Sequence, residues 1–251
     1  MSACRGTVTN MNEGHEFDPN FDSRDDAGNG DPDSTSKTLR RYHQLLWSKP
    51  LPNGDPFELV TTRKNCYLFH ESKRGKFFLS SDTVVPTFRR WLRMKPIIDQ
   101  VSASELDAFQ VLNHSMAGAM VFPGERRPGT LTINGARGMN PRIADRFDLT
   151  LEAIRRHYAN EASPLSKTFD NYRDFFDLFE SFHGYAEHFL LQDLLADGGN
   201  RVQIFTPFED FGVTPALPQT VEGYLEYRDN ASEFLRARNR RIGEWARRHL
   251  N

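Results

Sequence analysis

The sequence predicts an α+β fold, in which short antiparallel strands, mainly in the first half, pack against a helix-rich second half. The first half contains short aromatic and β-branched runs that are bounded by glycine, proline and asparagine, a pattern typical of strands and turns. The second half instead repeats apolar residues at helical spacing over long stretches. With 20 Phe among 251 residues, the shared core should be rich in phenylalanine.

Residues 1–33 are predicted to be an acidic, disordered leader, followed by a single α+β domain over residues 34–251. Residues 1–34 carry eight acidic side chains against two arginines, a net charge of −6, and they contain few apolar residues. Such a segment buries too little surface to offset the entropy of ordering the chain. Phe17 and Phe21 are the only large apolar side chains that could anchor it.

The domain is predicted to begin with a helix and an antiparallel hairpin or meander. Ser34 or Ser36 can cap a helix from Lys37, and the prolines and glycine of residues 50–56 end it. Three short strands should follow, with a tight turn at Lys-Arg-Gly between the last two. They are residues 57–62, 66–72 and 75–81.

The middle of the chain predicts two more helices and a second hairpin. Asp82 marks a turn or caps a helical segment, and Ser102 with Glu105 forms a capping box for a helix through Leu112. Residues 117–123 and 130–134 should be strands joined by the glycine- and proline-containing turn between them.

A long helix is predicted from Asn140, its N-cap, to Tyr158. An apolar stripe at helical spacing would give it about five turns. The stripe consists of Ile143, Phe147, Leu151, Ile154 and Tyr158. Asp148 or Thr150 could instead cap a second helix and divide the stretch, but the unbroken stripe favours one helix.

Helices are expected to dominate the remainder of the chain. One starts at Ser163-Pro164 and is bent or broken at Gly184 before continuing to about Leu195. Residues 201–205 are a last strand candidate, and residues 221–250 form an arginine-rich helix. Its arginines could follow a phosphate backbone, but interspersed glutamates favour a solvated helix end.

The central helix and the residues before it provide the main candidate site. Asp148 and Glu152 lie one turn apart and are the candidate catalytic acid and base. Two glycines in the preceding loop would let the backbone approach an anion, which arginine side chains could hold. The candidate ligand-binding residues are Asn134, Arg137, Arg142, Arg146 and Arg156. The alternative is an arginine–carboxylate network that ties this helix to its neighbours.

Other polar residues are weaker candidates. His43, Trp47 and Lys49 are more typical of a core edge than of a catalytic site. His70 is a candidate only through its proximity to Ser80, Ser81 and Asp82, and His183 and His188 lie among aromatic residues, where packed histidines are more usual than metal ligands.

Several classes of protein are disfavoured. Cys4 and Cys66 provide neither a disulfide framework nor a zinc-ligand spacing, so we expect a cytoplasmic location. No apolar run is long enough to cross a bilayer, and the N-terminus lacks the apolar segment of a secretion signal. No metal site is predicted, and no cofactor is indicated.

Four stretches together resemble a family of bacterial hypothetical proteins that is catalogued as a domain of unknown function. The resemblance spans roughly residues 31–245 and implies a bacterial, single-domain protein, but it supplies no catalytic residues. The stretches are LRRYHQLLWSKPLPNG, FFLSSD, TINGARG with IADRFDLTLEAIRRHY, and SPLS with YRDFFDLF and GYAEHFLLQDLL.

We therefore predict an enzyme or binder that acts on a phosphate-bearing ligand, a nucleotide or nucleic acid, through the arginine–carboxylate cluster. The alternative is a non-catalytic protein-interaction module, which the acidic leader, the basic C-terminal helix and the lack of a catalytic signature support. A phosphate-bearing small molecule, a nucleic acid and a protein are accordingly the candidate partners, and no membrane association is expected.

Overall fold

The computed structural model describes residues 17–63 and 66–250 and confirms the α+β fold. Its helices are α1 (Pro32–Thr35), α2 (Lys37–Trp47), α3 (Lys95–Ile98), α4 (Ala103–Asn113), α5 (Ile133–Met139), α6 (Phe147–Tyr158), α7 (Ser166–Asn171), α8 (Arg173–Phe176), α9 (Phe182–His188) and α10 (Val221–His249). Its strands are β1 (Leu68–Ser72), β2 (Gly75–Thr83), β3 (Ala119–Pro123), β4 (Leu195–Ala196) and β5 (Arg201–Val202).

The main sheet has the antiparallel order β1-β2-β3. The predicted hairpin is confirmed, because Ser72 pairs with Gly75 and Leu68 pairs with Leu79. Gly75 has a φ of 145°, which only glycine adopts readily. The first predicted strand, residues 57–62, contributes only an isolated bridge between Val60 and Phe69.

The second predicted hairpin is wrong. Strand β3 pairs with β2 rather than with residues 130–134, which instead lead into helix α5. The Thr132 hydroxyl accepts a hydrogen bond from the Gly135 N–H at 3.1 Å, so Thr132 caps this helix. The glycine loop of the candidate site is therefore helical.

The central helix is shorter than predicted, because α6 begins at Phe147 with Arg146 at its N-cap. Ala144 and Asp145, with φ of 50° and 62°, interrupt the expected helix just before this point. The single helix favoured from the sequence is therefore wrong over its first part, where residues 141–145 form turns, and the alternative start at Asp148 or Thr150 is wrong too, because Arg146 is the N-cap of α6. The interruption directs both the carbonyl and the carboxylate of Asp145 towards Arg137.

For the other helices, the predictions made from capping residues are partly confirmed. Helices α2, α4 and α10 are confirmed, with Ser36, Ser102 and Thr220 as N-caps. The expected helix after Asp82 is wrong, because Asp82 lies within β2 and Phe88 has a φ of 57°.

The helical region after residue 163 is more fragmented than predicted. It consists of α7, α8 and α9 with a 3₁₀ turn at Asp177–Phe179, and it ends in another 3₁₀ turn at Gln192–Leu194. Glu180, with a φ of 63°, separates that first 3₁₀ turn from α9. The last strand candidate shrinks to β5, which pairs only with β4.

The described part of the predicted leader, residues 17–33, lies against the domain. The Ser23 N–H donates to the His114 carbonyl at 3.0 Å, and the Met116 N–H donates to the Pro19 carbonyl at 3.1 Å. The Asp33 carboxylate accepts a hydrogen bond from the Thr83 N–H at 2.8 Å. Residues 1–16, for which disorder is predicted, lie outside the described residues.

The core is aromatic, as the composition predicts, and α10 crosses it. Trp47 on α2 packs edge-on against Phe189 with ring centroids 5.4 Å apart. Phe179 contacts both Tyr185 and Phe189 at 5.3 and 5.2 Å. Among the helices that the structure describes, none is long and apolar enough to cross a bilayer.

Candidate functional site

The predicted site residues do not converge on one opening. They separate into a buried centre around Arg137, a sealed pair at the start of α6, and a charged cluster at the α6 surface. Arg142 belongs to none of these groups and is exposed.

Arg137 on α5 is fully buried and all of its donors are occupied. It contacts the carboxylates of Asp82 and Asp145, the latter at 3.0 Å. It also donates to the Val84 carbonyl at 2.7 Å and to the Thr150 hydroxyl at 3.3 Å. The guanidinium therefore joins α5, β2 and α6, and it has no donor left for a ligand.

Asp82 and Asp145 share this one guanidinium, and Asp33 lies close to Asp82. Burial raises the pKa of Asp82 to about 7, and the two other carboxylates oppose its ionisation further. Burial also raises the pKa of Asp145 and of Asp33. Because like charges in a low-dielectric setting cannot all ionise, this cluster should retain a proton near neutral pH.

Asn134 lies at the edge of the same cluster, one helical turn from Arg137. Its amide N–H donates to the Ser80 hydroxyl at 3.3 Å, while its carbonyl oxygen is buried without a hydrogen-bond partner among the described residues. Arg137 thus meets carboxylates other than Asp148 and Glu152, and Asn134, one turn away, bonds to the Ser80 hydroxyl and not to a carboxylate.

Arg146 and Asp148 form a sealed pair at the N-terminus of α6. Arg146 donates twice to the Asp148 carboxylate, and Asp148 also accepts from the Phe205 N–H at 2.9 Å. The remaining Arg146 donor reaches the Thr206 hydroxyl and the Ala216 carbonyl. Both side chains are at most 1% exposed, so this geometry fastens the 205–216 loop to α6 and gives a substrate no access to Asp148.

Glu152 lies in the middle of α6 and is 8% exposed, and two arginines hold it. Arg155 donates to it at 2.8 and 3.0 Å and Arg156 at 2.9 Å, while Arg156 also pairs with Asp210 at 2.9 Å. A cavity of about 350 Å³ adjoins this cluster. The ion pairs already occupy the facing groups, so the cluster braces α6 against the 200–211 segment.

A larger cavity, of about 500 Å³, lies on another face of the molecule. Its walls come from the segment after α2, from α9 with the turn that follows it, and from the C-terminal part of α10. Helix α2 ends at Trp47, and the prolines at positions 50 and 52 turn the chain so that Lys49 lines the cavity. The charged residues on its lining are Lys49, Glu187, Arg241, Glu244 and Arg248.

The Lys49 ammonium lies between two indole rings. Its Nζ is 5.5 Å from the centroid of Trp47 and 4.9 Å from that of Trp245. Among the residues that the structure describes, no side-chain or backbone oxygen accepts a hydrogen bond from it. Burial lowers the pKa of Lys49 to about 8, although the nearby Glu187 carboxylate and the two aromatic faces favour the charged form.

Two further polar groups on the cavity wall lack partners. His188 is 4% exposed, packs edge-on against Phe57, and has a buried Nε2 without a hydrogen bond among the described residues. Burial lowers its pKa to about 3, so this imidazole is neutral at physiological pH. The Gln192 side-chain oxygen is likewise buried and unpaired.

The arginines of the cavity differ in how firmly they are held. Arg241 donates twice to Asp193, at 2.7 and 2.8 Å, which fixes its guanidinium. Arg248 is largely exposed and lies 3.7 Å from Glu244, so it can reorient towards a ligand. The cavity can therefore present one lysine and one mobile arginine to an anion.

The weaker candidates do not come together in the described part of the chain. His70 bonds through Nδ1 to the Glu58 carbonyl at 2.9 Å, and within the described chain it has no hydrogen bond to Ser80, Ser81 or Asp82. Residues 17–63 and 66–250 contain no group of three or more histidine, cysteine, aspartate or glutamate side chains that could hold a metal ion.

Some of the residues at the cavity were assigned to a core edge from the sequence, and others were not selected at all. Trp47 and His43 are indeed fully buried, but Lys49 beside them faces the cavity. Glu187, Gln192 and Trp245 carry no local signal, because their common position depends on how α9 and α10 pack. The only local feature that pointed to a cavity here is the close spacing of Trp47 and Lys49 just before two prolines.

Of the comparisons with known proteins, only the one with protein families gives a match. No protein of curated function and no solved structure matches the chain significantly. The model of DUF6994, a family of unknown function, matches residues 17–242, which confirms that the chain resembles a family of unknown function. The matched range covers the cavity residues from Lys49 to Arg241 and ends before Glu244, Trp245 and Arg248. It also covers all three arginine–carboxylate groups. The chain belongs to this family of unknown function, DUF6994.

Proposed function

We propose that the protein binds a small phosphate-bearing ligand in the cavity beside Lys49. The observation that carries this proposal is the Lys49 ammonium, which lines a cavity of about 500 Å³ without a hydrogen-bond acceptor among the described residues. A partly buried cation without an acceptor loses hydration that protein groups do not replace. A phosphate oxygen would supply the missing acceptor and the opposite charge.

The surroundings of Lys49 favour a small molecule over a polymer. The cavity volume is within the range typical of small-ligand pockets, and its walls combine an aromatic face with a few polar groups. Trp245 is partly exposed, but the exposed His249 ring already stacks on it with centroids 4.5 Å apart, so a planar group such as a nucleobase would stack there by displacing that imidazole. Arg248 supplies a second cation at the rim.

The arginines first suggested by the sequence support this proposal less well. Arg137 and Arg146 are buried with their donors bound to protein oxygens, and Arg156 is divided between Glu152 and Asp210. An anion at any of them would have to displace a carboxylate. Lys49 requires no such exchange, so the same ligand class fits the Lys49 cavity better.

Tryptophan fluorescence tests the proposal, because Trp47 and Trp245 are two of the three tryptophans in the chain and both contact Lys49. We expect inorganic phosphate to change the emission saturably, and calorimetry to show that a nucleoside monophosphate binds more tightly than phosphate. Lys49→Met should weaken binding on the order of tenfold or more, since it removes a charged hydrogen bond.

Lys76→Met is the matched control for that variant. Lys76 is 59% exposed, pairs with Glu71 at 2.8 Å on the β1–β2 hairpin, and does not line the cavity. The Lys76→Met variant should bind inorganic phosphate and the nucleoside monophosphate as tightly as the wild type does. Equal affinity of the Lys49 variant and the wild type would contradict the proposal.

A further inference from the structure

The Lys49 cavity combines an amine with features that suit covalent chemistry. The amine is tethered at a fixed point by the proline-flanked segment after α2, and two indole faces restrict its direction. No carboxylate of the described chain forms an ion pair with it within salt-bridge distance. A lysine used only to brace the fold would be expected to have such a partner, as Lys76 does with Glu71.

We propose that the Lys49 amine is a nucleophile that forms an imine with the carbonyl carbon of a small anionic aldehyde or ketone bound in this cavity. This inference rests on the proposed anion site and adds the reactive group that the ligand must carry. The charged form of Lys49 would attract the anionic ligand, Arg248 at the rim would then hold its anionic end, and the unprotonated fraction of Lys49 would face its carbonyl group.

The chemistry requires no additional reagent. The neutral amine attacks the carbonyl carbon, a carbon–nitrogen bond forms, and the carbonyl oxygen takes up a proton to give a carbinolamine. The attacking nitrogen loses one of its two protons at this stage, the hydroxyl group then leaves with a second proton as water, and the nitrogen loses its remaining proton, which yields the imine. Glu187 is the cavity carboxylate that acts on Lys49 electrostatically, and it is the candidate group for moving these protons.

The charges around Lys49 make the free amine accessible at moderate pH. Burial lowers its pKa to about 8, the buried Arg238 guanidinium acts in the same direction, and Glu187 opposes both. His188, on α9, is neutral and adds no competing charge. Arg241 is neutralised by Asp193, and Arg248 lies near Glu244. Near pH 7.5 roughly 200-fold more of Lys49 than of an ordinary lysine would be unprotonated.

Reductive trapping tests the proposal on the folded wild-type protein. Glyoxylate, an aldehyde that carries a carboxylate, is added with cyanoborohydride, and the modified lysines are quantified by peptide mapping. We expect Lys49 to be modified on the order of tenfold faster than Lys76 and Lys95, which are exposed and serve as internal controls. Its rate should level off above about pH 8, whereas the controls should continue to accelerate at higher pH.

The variant Glu187→Gln gives a second readout. Because Glu187 raises the pKa of Lys49, its removal should shift the midpoint of the Lys49 rate profile to lower pH. Glu187 is exposed, so this variant should fold normally. An unchanged midpoint, or modification of Lys49 no faster than that of Lys76, would overturn the proposed nucleophile.

The two proposals fail in different ways. If inorganic phosphate changes the tryptophan emission through Lys49 but Lys49 is not modified preferentially, imine formation is refuted and anion binding stands. If excess phosphate fails to slow a rapid modification of Lys49, the reactive lysine does not share its cavity with an anion. The proposed function and the anionic substrate class would then both be wrong.

Discussion

At the scale of single residues, Arg137 and Arg142 show how differently two arginines of one short stretch can be used. Arg137 is fully buried and contacts Asp82 and Asp145, whereas Arg142 is exposed just before the left-handed turn that leads into α6. Sequence spacing made both of them candidate ligand residues. Burial assigns the first to the interior of the fold and leaves the second at its surface.

Replacing Arg137 should therefore destabilise the protein severely. Arg137→Met would leave Asp82 and Asp145 without their counter-charge, at a cost of about 3–5 kcal/mol in the free energy of unfolding. Urea denaturation measures this loss. Arg142→Met is the control and should leave the unfolding midpoint nearly unchanged, and similar midpoints for the two variants would contradict a buried centre at Arg137.

The carboxylates around Arg137 predict a specific dependence of stability on pH. The folded pKa of Asp82 is about 7, against an ordinary value of 3.8. The folded state therefore binds more protons than the unfolded chain between these values, and the free energy of unfolding must fall as the pH rises through this window.

Asp82→Asn isolates this contribution, because asparagine remains neutral at every pH in the window. Between about pH 5 and about pH 8, the free energy of unfolding of the wild type should fall relative to that of the variant. Urea denaturation at each pH measures this difference. Parallel pH profiles for the two proteins would show that Asp82 ionises normally in the fold.

At the scale of elements, α9 and α10 begin with the same capping arrangement but in different surroundings. The third residue of each helix is a glycine whose N–H donates to the N-cap hydroxyl, from Gly184 to Ser181 at 3.0 Å and from Gly223 to Thr220 at 3.1 Å. A Cβ on Gly184 would lie 2.2 Å from the Phe179 carbonyl oxygen, whereas one on Gly223 would meet only the Thr220 hydroxyl at 3.5 Å.

This contrast predicts opposite tolerance to alanine. Gly184→Ala should destabilise the protein by about 1–3 kcal/mol, because the backbone at Phe179 must move to relieve the overlap. Gly223→Ala should be neutral or slightly stabilising, since alanine favours the helix. Chemical denaturation of both variants checks this, and equal effects would contradict the close approach of α9 to the preceding turn.

The elements also show where sequence reasoning succeeds. Helices α2 and α4 were predictable from their capping serines, and α10 from its apolar and arginine-rich sides. Residues 130–134 were assigned wrongly because their apolar–polar alternation imitates a strand, while Thr132 acts as an N-cap. The true start of α6 depends on left-handed Ala144 and Asp145, and the contacts of Asp145 with distant Arg137 accompany that conformation.

At the scale of the whole molecule, the candidate cavity is assembled from segments that are far apart in sequence. Lys49 follows α2, His188 ends α9, and Trp245 and Arg248 lie near the end of α10. The sequence could indicate each amphipathic helix but not the packing that brings their ends together. The sequence did indicate the many arginines and carboxylates around α5 and α6. In the structure these side chains form ion pairs, several of which join different elements.

The predicted protein-interaction role remains a prediction at this scale. The large exposed apolar side chains of the described chain include Leu92, Met139 and Val213. They belong to separate elements, a 3₁₀ turn, α5 and the 203–220 loop, and scattered exposed apolar residues are normal on protein surfaces.

The most direct test of an anion site at Lys49 is crystallographic. Crystals soaked in tungstate, a phosphate-like anion with strong anomalous scattering, should show their main anomalous peak in the cavity of about 500 Å³. An oxygen of that anion should lie about 3 Å from Lys49 Nζ, and the peak should disappear in Lys49→Met crystals. Tungstate bound only elsewhere, for example at Arg155 and Arg156, would contradict the account.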